Sequence, residues 1–199
     1  MLDLDGREDA SAQNCLEREL VNCCAVVGVD EAVMIDVNRI VFRPEFRELC
    51  EQNRCGNYDK NWRCPPKCGD IHELIDALKK KERAMVFTFV GKLKNPYDLD
   101  GMTKAGLSFA KVCQGVFEQA RNLYAVMEAA DKKPTVLGAG PCKNCEKCAI
   151  LTKTPCRHPE EAVTSLEACG VDVGQLAKLS GLKYNAGSGT ITYFGAVFI

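Results

Sequence analysis

Apolar positions along this chain follow two periods, one helical and one extended. Leu16, Leu20 and Cys23 recur at i, i+4 and i+7, which predicts a helix over 11–24. Val33 to Phe42 is rich in Val and Ile and reads as one strand, or two short ones divided at Val37-Asn38-Arg39. Pro44 opens a short helical turn that runs into Cys50. The most legible helix spans Asp70 to Lys81: Asp70 is the N-cap, Glu73 completes a capping box, and Ile71, Leu74, Ile75 and Leu78 line one face. A buried strand follows from Ala84 to Val90. Next comes a long helix over about 104–130, where Phe109, Val112, Cys113, Val116, Ala120, Leu123 and Met127 recur at three and four residues. Thr135 to Ala139 is a short strand.

Pro159 is placed at N1 of a further helix whose core face is Ala162, Val163, Leu166 and Cys169, with Gly170 as its stop. Asp172 caps a last short helix ending near Gly181, residues 185–189 turn, and Thr190 to Ile199 closes the chain as a strand. This order of elements predicts an α/β (α+β) fold. Residues 1–199 form one domain with a single mixed sheet of four or five strands covered by helices. Two cysteine-rich loops, 50–69 and 140–159, lie on its surface.

Composition narrows the function. At 199 residues the chain fits one domain. Lys and Arg number 26 against 27 Asp and Glu, a net charge of −1, which argues against non-specific nucleic-acid binding because that needs a basic surplus. The opening residues have neither a basic nor an apolar signal region, and the run from Val21 to Val29 is too short to span a bilayer. A cytoplasmic setting is the expectation. Thirteen cysteines are an odd number and cannot all pair within the chain. In a reducing compartment such clustered thiols point to metal rather than to disulfides.

The C-terminal cluster reads Cys142-x2-Cys145-x2-Cys148, then Cys156-Arg157-His158-Pro159. Three cysteines at this spacing in a turning loop can converge on one cubane, each thiolate on a separate iron. Bacterial ferredoxin runs begin the same way, with a fourth cysteine after three residues rather than the seven found here. Zinc more often uses two C-x2-C knuckles held apart, so the pattern favours iron–sulfur over zinc. The N-terminal cluster places Cys50, Cys55, Cys64 and Cys68 within nineteen residues of a loop almost free of aliphatic side chains. Prolines 65 and 66 stiffen it. Iron–sulfur is again favoured over zinc. A site held by Cys50, Cys55 and Cys64 alone would leave one iron open to a small ligand.

These segments resemble a known family. Cys55-Gly56-Asn57-Tyr58-Asp59-Lys60-Asn61-Trp62-Arg63-Cys64-Pro65-Pro66 is similar to the C-x-x-Y-x-K-x-W-x-C-P-P segment of DUF2284, described as predicted metal-binding proteins of anaerobic bacteria and archaea. Gly140-Pro141-Cys142-x-x-Cys145-x-x-Cys148, Pro155-Cys156-Arg157-His158-Pro159-Glu160 and Ser165-Leu166-Glu167-Ala168-Cys169-Gly170-Val171-Asp172-Val173 resemble it too. The likeness runs from about Ile35 to the C-terminus. It implies metal binding in an anaerobic setting, with Cys55, Cys64, Cys142, Cys145, Cys148 and Cys156 as ligands, and implies no reaction. Cys50 and Cys68 rest on local spacing.

The remaining residues have plainer readings. Cys113 and Cys169 fall on apolar helix faces as small core residues, Cys23 and Cys24 read as packing, and Cys15 is unassigned. His158 is expected to cap a helix or support the cluster from behind its ligands. Arg157 balances cluster charge or makes a surface salt bridge. Tyr58 and Trp62 shield the first cluster or anchor its loop. Lys79, Lys80 and Lys81 with Arg83 read as a solvated helix end, and so do Lys132-Lys133. There is no G-x-S-x-G, no phosphate-binding G-x-x-x-x-G-K, no dinucleotide fingerprint, and no C-x3-C-x2-C run. The expected function is a protein with two [4Fe–4S] clusters that exchanges single electrons with a partner redox enzyme. The alternatives are an enzyme with an open iron acting on a small substrate, and a structural zinc module for protein interaction.

Overall fold

The computed structural model describes residues 5–126 and 133–199, with side chains from Asn14 onward. Five helices are seen: α1 (Asp5–Ala25), α2 (Phe46–Glu51), α3 (Ile71–Lys79), α4 (Leu99–Val126) and α5 (Val173–Ser180). The strands are β1 (Glu31–Asp36), β2 (Arg83–Lys92), β3 (Thr135–Gly138), β4 (Thr164–Ser165) and β5 (Thr190–Phe198). They form one sheet in the order β1-β2-β5-β3-β4. All neighbours are antiparallel except β3 and β4, which run parallel through Leu137–Thr164 and Gly138–Ser165. Among the described residues, no helix is long and apolar enough to cross a membrane.

Alternation along the central strands feeds two cores. Met85, Phe87 and Val197 face α1 and α4, where they meet Leu16, Leu20, Phe109, Val112 and Val116. Ala84, Val86, Ala196 and Phe198 face the other way, onto Leu78 of α3 and Leu176 of α5. The result is a sheet between two helical layers. Burying a side chain such as Phe87 or Phe109 contributes about 1.5–3 kcal/mol. Gly195 makes room for one of them: a Cβ there would lie 2.3 Å from the Phe87 ring. Arg83 ties α1 to the sheet with a two-pronged bond to Glu17, at 2.9 and 3.0 Å, and a further bond to Asp36. Arg83 is therefore part of a half-buried ion network and not a solvated helix end.

Most predicted elements are present. Asp70 accepts from the N–H groups of His72 and Glu73, and Asp172 accepts from Gln175, so both N-caps stand where the sequence places them. The Val33–Phe42 segment divides: β1 stops at Asp36, Val37–Arg39 is a 3-10 turn, and Phe42 makes one bridge to Val171. Helix α4 begins earlier than predicted, and Met127 lies outside the described residues, as does Lys132. The helix predicted from Pro159 is not formed. Thr164 and Ser165 extend beside β3 instead, followed by a 3-10 turn at Glu167–Cys169. Strand pairing with Leu137 and Gly138 claims a segment that begins with β-branched Val163 and Thr164. Gly170 still ends the turn, in a left-handed conformation.

Candidate metal centre

Two loops carry the clustered cysteines. The first runs from α2 to α3 and the second from the end of β3 to β4. In the first, consecutive turns are closed by backbone bonds from Cys64 to Asn61 O (3.0 Å), from Cys68 to Cys64 O (3.1 Å) and from Asp59 to Pro65 O (2.9 Å). Gly56 and Gly69 take positive φ, as do Asn53 and Asp59. The loop winds back on itself this way without a hydrophobic core.

That winding gathers the first thiol set. Burial, and then the negative charge that Cys55, Cys68, Cys50 and Cys142 would carry, push the Cys64 thiol up to about 12. Burial raises the Cys50 thiol as well; Arg47 opposes the shift, while Cys55 and Cys68 add to it. Cys50 and Cys64 thus each feel the charge of Cys55 and Cys68. Arg47 donates to Cys68 Sγ at 3.6 Å and to Ala168 O at 3.3 Å.

In the second loop, Cys142, Cys145, Cys148 and Cys156 line one small cavity of about 20 Å³. Burial raises the Cys142 thiol; the Asn144 N–H opposes this, and Cys156 and Cys145 reinforce it. Part of the cavity wall comes from the first loop, at Asn61, Trp62 and Arg63. Buried Asn61 donates to Cys142 O at 3.0 Å, the Trp62 backbone N–H points at Cys148 Sγ at 3.5 Å, and the Trp62 indole donates to Thr154 O at 3.0 Å. Arg63 bonds Pro159 O. The two loops are one continuous surface, joined through Asn61-Trp62-Arg63.

Several expectations change here. Trp62 anchors its loop, and it stands against the second thiol set. His158 has no helix to cap; it lines the cavity of the second set, with Nδ1 3.5 Å from Glu161 Oε2. Arg157 bonds Lys147 O at 3.2 Å. Cys24, Cys113 and Cys169 are buried in the apolar cores, while Cys15 is exposed and Cys23 half-buried with its thiol on Leu20 O. Sequence reasoning missed Asn61, Arg63 and Arg47. The available signals were the flanking of Trp62 within the motif and a cation one helical turn before Cys50.

Among the described residues, no group of three or more His, Cys, Asp or Glu side chains is close enough to hold a single metal ion. The donor chemistry nonetheless suits a thiolate-held metal group. The first loop offers three thiols, with Cys50 beside it in α2, and the second offers four; the Cys68 and Cys148 sulfurs already receive N–H donors, the pattern that orients and tunes metal-bound sulfur.

Fold and site together define a mixed α+β protein with two adjoining cysteine-bearing loops. The chain belongs to the DUF2284 family, whose model, described as a predicted metal-binding protein, matches residues 33–199. Comparison with curated proteins and with solved structures finds no match.

Proposed function

We propose that this protein holds two [4Fe–4S] clusters, one on Cys50, Cys55, Cys64 and Cys68 and one on Cys142, Cys145, Cys148 and Cys156, and passes single electrons to or from a partner redox protein. The observation that carries this reading is the junction of the loops: Asn61 bonds the Cys142 carbonyl and Trp62 the Cys148 sulfur. When bound, such clusters supply one-electron redox chemistry at potentials set by hydrogen bonds, charge and exposure. The chain's own residues would tune them. Arg47 brings positive charge to Cys68, the Trp62 N–H lowers electron density on Cys148, and Asn61 fixes the spacing of the two loops. An all-thiol set closes a cluster to substrate and leaves electron exchange as its use. A cytoplasmic, anaerobic setting fits this chemistry.

EPR of anaerobically purified protein, reduced with dithionite, tests the reading. Two clusters on adjoining loops give a broadened spectrum from interacting spins. Two sharp independent signals contradict the junction, and a colourless, zinc-bearing protein removes the proposal in favour of a structural zinc module.

A second reading is favoured by one observation: Cys68 also lines a cavity of about 580 Å³. An iron beside Cys68 would then be reachable by a small substrate.

A further inference from the structure

The cavity beside Cys68 adjoins β3 and the short strand β4. Thr135 and Val136 of β3 pair with β5 on one side, but β4 covers only Leu137 and Gly138 on the other. The uncovered edge opens between α3 and α4. Leu74 and Leu78 of α3, Phe117 and Tyr124 of α4, and Val136 and Leu137 of β3 line it. The volume of about 580 Å³ falls within the usual range for small-molecule sites.

Among the described residues, Arg63, Arg121 and Lys133 line this cavity against one carboxylate, Glu160. None of the three cations forms an ion pair among the described residues: Arg63 bonds a backbone carbonyl, and Arg121 lies 5.7 Å from the centre of the Phe117 ring. An apolar chamber lined by cations suits a ligand with an oily body and an anionic head.

We propose that this cavity binds a small organic carboxylate with an apolar body, seated on Leu74, Phe117 and Val136 with its head toward Arg121 and Lys133. The inference deepens the reading of a reachable iron and rests on it only for the part played by Cys68.

Calorimetric titration of the full-length, anaerobically purified chain with octanoate, octan-1-ol and octylammonium separates charge from chain length. Octanoate should bind about tenfold or more tighter than octanol, the ratio one charge-assisted hydrogen bond supplies. Octylammonium should bind weakest. The double variant Arg121→Glu with Lys133→Glu should abolish octanoate's advantage, both positions being exposed and tolerant of change. Ala77→Trp, which fills the cavity from the exposed side of α3, should remove octanoate and octanol alike. Equal affinity for octanoate and octanol, an advantage that survives the double variant, or binding unchanged by Ala77→Trp would each overturn the inference. Iron measured on the same samples keeps the two proposals apart. Octanoate binding to an iron-free chain removes the cluster reading and leaves this one; an iron-loaded chain that ignores octanoate does the reverse.

Discussion

Cys113 and Cys145 carry the same thiol in opposite surroundings. Cys113 packs from α4 into the core, where burial pushes its thiol up to about 12. Cys145 is half-buried in a loop and lines a cavity with three other thiols. The chemistry of each follows from those neighbours. Replacing Cys145 by Ala should lose about half the bound iron, because one of two four-thiol sets is broken. Cys113→Ala should keep all of it and cost about 1–2 kcal/mol for the cavity left behind. Metal analysis beside urea unfolding checks both. Iron loss from Cys113→Ala, or none from Cys145→Ala, contradicts the assignment. The two cysteine-bearing loops were legible in the sequence because Pro, Gly and Cys crowd segments with no apolar period. Asn61 was not. Its bond reaches 81 residues along the chain to a backbone carbonyl, and such a bond leaves no periodic trace.

Helix α5 shows how a local signal becomes an element. Asp172 caps it through the Gln175 N–H at 3.0 Å and accepts from Arg43 Nε at 2.7 Å. Burial opposes ionisation of Asp172, but the Arg43 and Gln175 bonds outweigh it and hold the carboxyl below its ordinary range. A lowered folded value means the stabilisation is complete above the unfolded value of about 3.9 and fades as pH falls through the folded one. Asp172→Ala should therefore cost about 1–3 kcal/mol at neutral pH. Its deficit against the natural chain should shrink below about pH 4. Urea unfolding at neutral and acid pH measures this; a deficit independent of pH would refute it. The segment after Pro159 teaches the converse. Its apolar spacing fits a helix, and Ala162, Leu166 and Cys169 are indeed buried. Yet Thr164 and Ser165 complete a parallel pair with β3. Local period cannot report a strand partner that lies 27 residues away at Leu137.

At the scale of the molecule, the sheet packs between two helical layers, and both thiol loops are mounted on its sheet and helices. The first is held between α2 and α3, the second leaves β3, and Asn61-Trp62-Arg63 locks one to the other. The mixed sheet and its covering helices follow from the alternation in β2 and β5 and from the apolar stripe of α4. The mutual docking of the loops follows from tertiary structure alone. It matters because it turns two separate cysteine patterns into one surface. Iron and acid-labile sulfide per chain, measured under strict exclusion of oxygen, test that surface most directly. Two clusters predict about eight of each per chain. Zinc in place of iron, or iron without sulfide, would contradict the account.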